Sequence, residues 1–255
     1  MERIDKVLAH HGFGSRKDVK KMLRNQEVLV NGKQIFDPGY QLDIEKDSLT
    51  IDGEEVRLQR DLYIMMNKCK NVVCANKDGE HQTVFDLLDE SLRHEFLGGE
   101  LHCMGRLDID TEGLLILTTD GKMIHRLLAP KTHVPKSYAV GLRDSLNEGE
   151  KESYIQKCKE GFWIDREGNE DGFDCKPSQL KFVENEKSGE NKIDCILTIY
   201  EGKFHQVKRM FSQLGNEVIY LKRVKMGMLE LDKSIPLGSY RELSPEEIEI
   251  LSKSE

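Results

Sequence analysis

The stretch Gly105-Arg106-Leu107-Asp108-Ile109-Asp110-Thr111-Glu112-Gly113-Leu114-Leu115-Ile116-Leu117-Thr118-Thr119-Asp120-Gly121 sets three carboxylates, Asp108, Asp110 and Glu112, ahead of an apolar block, Leu114 to Leu117. That block, bounded by Gly113 and the turn pair Asp120-Gly121, reads as a buried strand. A strand this apolar is anchored in a core, so the acidic segment before it is held on something rigid. Charged groups at such a rim are where chemistry is usually sited. The bland alternative is a solvated acidic loop.

Outward from this stretch, short strands and helices alternate. Strands are expected at Tyr63–Met66 and Val72–Cys74 around an Asn67–Asn71 turn, and at Lys136–Val140 and Phe162–Ile164. Lys181–Val183 with Ile193–Tyr200 reads as a hairpin around Ser188-Gly189, and Glu217–Leu221 and Met228–Leu231 as two more strands. Helices are expected at Thr83–Leu88, at Lys122–Leu128 ended by Pro130, over 147–160, at His205–Leu214, and from Ser244-Pro245 onward. The alternation predicts an α+β domain with a mainly antiparallel sheet.

The N-terminal part differs in charge. Residues 1–35 carry eight basic side chains against four acidic ones, a balance of +4, which leaves −12 for the rest of a chain whose net charge is −8. Binding depends on local patches, so the negative sum does not exclude a nucleic-acid partner. Ile4, Val7 and Leu8 have helical spacing, and Gly12 to Gly14 end that helix. Ser15, three residues before Asp18, forms a capping box that starts a second helix. Its apolar face is Val19, Met22 and Leu23. Its other face gathers Arg16, Lys17, Lys20, Lys21 and Arg24 into one basic stripe suited to phosphate. Val28-Leu29-Val30, Asn31-Gly32 and Lys33-Gln34-Ile35 follow as a hairpin. Asp43 to Arg60 is polar with a turn at Asp52-Gly53, and the character changes at Tyr63. The division is placed at residues 1–59 and 60–255.

At 255 residues, 38% hydrophobic and 33% charged, the chain is globular. No apolar run approaches the roughly 20 residues that span a bilayer. Met1-Glu2-Arg3-Ile4-Asp5 has charges where a signal peptide needs an apolar core, so the expected location is the cytosol. Cys69, Cys74, Cys103, Cys158, Cys175 and Cys195 form no Cys-x-x-Cys pair and read as reduced packing residues, with a zinc site using Cys69 and Cys74 as the alternative.

Three chemistries fit the acidic stretch. A calcium loop would need a glutamate at its twelfth position, where Thr119 stands. Paired carboxylates for glycoside hydrolysis stay open, since nothing fixes their separation. A single aspartate held ionised by a cation from Glu201-Gly202-Lys203-Phe204-His205-Gln206-Val207-Lys208-Arg209-Met210 is the third.

Two resemblances bear on this choice. Arg3 to about Leu49, with Ser15-Arg16, Arg24 and Val28-Leu29-Val30-Asn31-Gly32-Lys33, resembles an S4 domain, a small RNA-binding module. Gly105 to Leu114 resembles the signature of pseudouridine synthases acting on ribosomal RNA, Lys136-Ser137-Tyr138-Ala139-Val140 their second motif, and Glu201 to Met210 their third. The order of motifs is similar to the S4-containing branch typified by the ribosomal small-subunit enzymes, and the resemblance covers nearly the whole chain.

The resemblance implies that Asp108 is the catalytic aspartate, attacking the target uridine at the base or at ribose C1′. It implies that Lys208 pairs with Asp108, that Tyr138 stacks on the flipped uracil and aids proton transfer at C5, and that Leu214 lines the uracil pocket. Arg106 would contact phosphate or fill the gap left by the flipped base. Asp110 and Glu112 fall to supporting roles. Arg16, Lys17, Lys20, Lys21, Arg24, Lys203 and Arg209 would bind RNA, with Lys222, Arg223 and Lys225 also on the backbone. No redox change or hydrolysis occurs, so no cofactor and no metal are implied. The expected partner is ribosomal RNA, most directly 16S in an assembly intermediate, met by a monomer away from any membrane. A synthase for 23S RNA and a non-catalytic S4-type assembly factor are the alternatives. Lys208 stands where many relatives carry arginine, and a lysine cannot make the bidentate fork.

Overall fold

A computed structural model of the chain describes residues 1–11, 13–44, 46–56, 61–89, 92, 101–129 and 131–253. The expected helix stops at Gly12 and Pro130, and the expected division at residues 59 and 60, lie outside the described residues. The chain divides into two units, one of Met1–Leu62 with Leu88–His102 and one of Tyr63–Leu87 with Cys103–Glu255.

In the first unit, helices Ile4–His10 and Arg16–Asn25 share a core with a four-stranded antiparallel sheet. Its strand order is Lys33–Gln34, Val28–Val30, Leu49–Ile51, Glu54–Val56. Ile4, Leu8, Val19, Leu23, Val28 and Leu49 are buried together. Ser15 and Asp18 cap the second helix reciprocally, as expected. Asn31 and Gly32 both have positive φ, 50° and 75°, the geometry a two-residue hairpin turn requires. Asp52 and Gly53 repeat it at 50° and 85°, so the turn expected there closes a second hairpin, between Leu49–Ile51 and Glu54–Val56.

The second unit is built on a sheet ordered Gln179–Ser188, Asn191–Ile199, Lys136–Leu142, Val218–Met226, Glu112–Thr118, Tyr63–Lys68, Tyr240–Glu242. Every adjacent pair along it is antiparallel except Glu112–Thr118 against Val218–Met226. Glu112–Thr118 is buried along its whole length, as its composition predicts. Gly113 sits at φ +102°, and a Cβ there would lie 2.2 Å from the Arg223 carbonyl oxygen. Only glycine allows that approach of the parallel strand. After the Asp120 side chain caps Lys122 and Met123, helix Gly121–Leu128 packs Met123 and Leu127 into the core.

Three expectations change. Residues 84–87 form turns rather than a helix, because the Asp86 carboxylate takes the Thr83 backbone N–H and hydroxyl at 2.7 and 2.8 Å and no helix continues from that cap. Val72–Val73 pairs in parallel with Gln82–Thr83 instead of with Tyr63–Lys68. Glu217–Leu221 is part of a longer strand, Val218–Met226, and Tyr240–Glu242 adds an edge strand that its three residues did not announce.

Candidate active site

The segment before the central strand is held by its backbone. Lys68, at the end of Tyr63–Lys68, is fully buried, and its ammonium donates to the carbonyls of Thr111 at 2.9 Å, Asp108 at 3.0 Å and Cys69 at 3.1 Å. Burial pushes the Lys68 amine below its ordinary range, opposed by the nearby thiols and by Asp110 and Asp108. The Asn71 N–H donates to the Ile109 carbonyl at 2.8 Å, and the Thr111 N–H to that of Asp108 at 3.1 Å. With its main chain fixed by these bonds, Asp108 keeps a half-buried side chain, 32% exposed.

Two cationic or ionisable groups meet that carboxylate. Lys208, in the first turn of helix Gln206–Gln213, places Nζ 3.5 Å from Asp108 Oδ2. His205, the residue capping that helix, places Nε2 3.9 Å from Asp108 Oδ1. Lys208 lies closer still to Asp110, at 2.6 Å. Burial raises the Asp110 carboxyl, but the Lys208 hydrogen bond and charge outweigh it and hold the group below its usual range. Glu112 turns away into the core, where the Tyr220 hydroxyl donates to it at 2.8 Å. The three carboxylates therefore do not converge: two share one lysine and the third is structural.

Tyr138 lies in a cross-strand row with Arg223 and Gly113. The register slips between Ser137 and Tyr138, leaving Val224 as an extra residue on the opposite strand. Such a bulge re-aims the neighbouring side chain. Tyr138 is 8% exposed. Arg106 is exposed two residues before Asp108.

Two expected placements are corrected. Arg209 is buried, donating to the Asp165 and Asp171 carbonyls at 2.8 Å with its guanidinium over the Phe173 ring, so it packs the domain and has no face for phosphate. Arg223 is 2% exposed with Nε on the Leu114 carbonyl, so it cannot grip an RNA backbone either. Leu214 lies past the far end of helix Gln206–Gln213, about 9 Å along the axis from Lys208. Its carbonyl accepts from the Tyr154 hydroxyl.

The remaining bases are accessible. Lys203 is exposed on the turn before the helix. In the first unit Arg16, Lys17, Lys20, Lys21 and Arg24 are exposed on the face opposite Val19 and Leu23. Arg16 is partly engaged, its Nη2 on Asp5 at 2.8 and 2.9 Å. Nothing in the sequence marked Lys68 or His205. The one available signal for His205 was its place in the third motif, beside Lys208.

Comparison with known proteins identifies the chain's family. Residues 62–213 match the RNA pseudouridylate synthase family, and residues 2–49 match the S4 domain. An uncharacterized RNA pseudouridine synthase of Bacillus subtilis is 42% identical over 98% of both chains. The ribosomal small subunit pseudouridine synthase A of Pasteurella multocida is 37% identical over 98% of this chain and 100% of its own. A pseudouridylate synthase crystal structure superposes with a TM-score of 0.64 at 36% identity, over 98% of this chain and 100% of that one. With its motifs, its fold and full-length relatives in agreement, the chain belongs to the RNA pseudouridylate synthase family, in an S4-containing form.

Proposed function

We propose that this protein converts a uridine of 16S small-subunit ribosomal RNA to pseudouridine, with Asp108 as nucleophile. The observation that carries this reading is the meeting of the Asp108 carboxylate and the Lys208 ammonium at 3.5 Å, from segments 100 residues apart. In the reaction the N1–C1′ bond breaks, the uracil turns while still held, and a C5–C1′ bond forms. C5 loses its proton and N1 gains one, so the product is an isomer. Lys208 holds the Asp108 carboxylate in place from 3.5 Å, an electrostatic role in a site that substrate would shield from water. Tyr138, beside the bulge, stacks on the uracil and serves proton transfer at C5. Arg106 occupies the space the flipped base leaves.

The small-subunit relative at 37% identity along its whole length supports the choice of 16S RNA. The exposed lysines of the N-terminal helix supply sequence-independent backbone contact. The enzyme works as a monomer in the cytoplasm, and no helix among the described residues is long and apolar enough to cross a membrane. The test is incubation of the purified protein with 16S assembly intermediates and with 23S RNA, followed by mapping of pseudouridine at nucleotide level. One new pseudouridine in 16S RNA is expected. Modification confined to 23S RNA would overturn the substrate, and none in either would overturn the activity.

A further inference from the structure

Phe204 is the one large apolar side chain of the catalytic turn left open, 49% exposed. It is not there through slack in the chain. The turn is pinned from beneath by Gln206, a 3%-exposed side chain whose amide oxygen accepts from the Lys203 N–H at 3.0 Å and whose amide nitrogen donates to Glu201 at 2.8 Å. Above that anchor His205 adopts a left-handed backbone, φ +46°, uncommon for a residue other than glycine. Its imidazole stacks on the Phe204 ring, centroids 3.7 Å apart and planes 22° apart. The same imidazole places its Nε2 3.9 Å from Asp108 Oδ1. A two-ring stack therefore starts at the candidate nucleophile and ends on an open aromatic face, with the exposed Lys203 next to it in the chain.

An exposed, rigidly held aromatic face is the feature on which single-stranded nucleobases stack. We propose that the outer face of Phe204 is a stacking site for an unpaired nucleobase adjoining the target uridine. We assign it to a neighbour rather than to the target, because the imidazole, not the Phe204 ring, meets Asp108 and the outer face of Phe204 is the one turned away from that imidazole. The site fixes the register of the RNA strand and so helps select which uridine is presented. This rests on the function proposed above.

The test uses full-length protein and the rRNA fragment carrying the mapped uridine, with each flanking nucleotide in turn made abasic. Wild-type kcat/KM is expected to fall about 5- to 150-fold at one flanking position, the span of a lost base–aromatic stack. Phe204→Leu, shown folded by its unchanged melting temperature, should lose a similar factor on intact RNA and be indifferent to the abasic site at that position. Phe204→Trp should restore the dependence. The inference is overturned if Phe204→Leu matches wild type on intact RNA, or if the abasic series costs both proteins equally. Failure of the functional reading is separate, because it shows as no pseudouridine from the wild type; the same abasic series read as Kd then decides the stacking site alone.

Discussion

Lys208 bridges two carboxylates unequally: its ammonium is 2.6 Å from Asp110 and 3.5 Å from Asp108. Asp110 is 58% exposed, whereas Asp108 is 32% exposed and its main chain is clamped by Lys68. The nearer carboxylate thus holds the lysine in place and the farther one is free for chemistry. Lys208→Met is expected to cost roughly 10²- to 10³-fold in kcat, the range for loss of one preorganised charge partner. Lys208→Arg should recover most of that. Asp110→Asn should change kcat less than tenfold; a loss as large as that of an Asp108 variant would move the nucleophile to Asp110.

Gly113→Ala should be poorly tolerated. The residue would carry a Cβ 2.2 Å from the Arg223 carbonyl oxygen at φ +102°, so backbone strain and displacement of the parallel strand add. We expect a loss of about 3 kcal/mol or more in urea unfolding. A variant as stable as wild type would mean that the two strands do not approach in this way.

Asp5 ties the first two helices together through Arg3 and Arg16. The Arg3 hydrogen bond, with Arg16 adding to it against the opposing effect of burial, holds its carboxyl at about 2. A carboxyl depressed in the folded state contributes stability above its unfolded pKa of about 4 and loses it as pH falls through the folded value. Asp5→Asn should therefore melt at a lower temperature than wild type at pH 7, and the gap should close between about pH 4 and pH 2. A gap independent of pH would show that the ion pair is not its source.

Lys17, Lys20 and Lys21 project from one helix with no acidic partner on their own face within the turn they occupy beyond Asp18. Replacing all three by alanine should weaken RNA binding and lower the slope of log Kd against log salt by roughly 2 to 3, one increment per lost phosphate contact. Fluorescence anisotropy across a salt series measures both. An unchanged slope would remove this helix from the interface.

What could be read from the residues depended on how local the cause was. Leu114–Leu117 was legible because an unbroken apolar run can only be interior, and the Asn31-Gly32 turn because its positive φ values demand those residues. The Ser15–Asp18 capping box was legible for the same reason. The expected helix at Thr83–Leu88 failed, because the bonds from Thr83 to Asp86 close a turn that goes no further. Long-range causes were hidden. A lysine at a strand end reads as a solvated charge, and only the folded chain shows four carbonyls around Lys68. Arg209 and Arg223 read as two more surface bases, while their burial depends on Asp165, Asp171 and Leu114 in distant segments. The pairing of Asp108 with Lys208 was expected from resemblance, but the stronger contact to Asp110 was not.

The most direct test is Asp108→Asn, which keeps the size of the side chain and the backbone bonds to Lys68 while removing the carboxylate proposed as nucleophile. Pseudouridine formation and RNA affinity are measured on the same preparation. We expect no detectable pseudouridine, with Kd for the RNA within about threefold of wild type. Pseudouridine formed at the wild-type rate by this variant would contradict the assignment of Asp108.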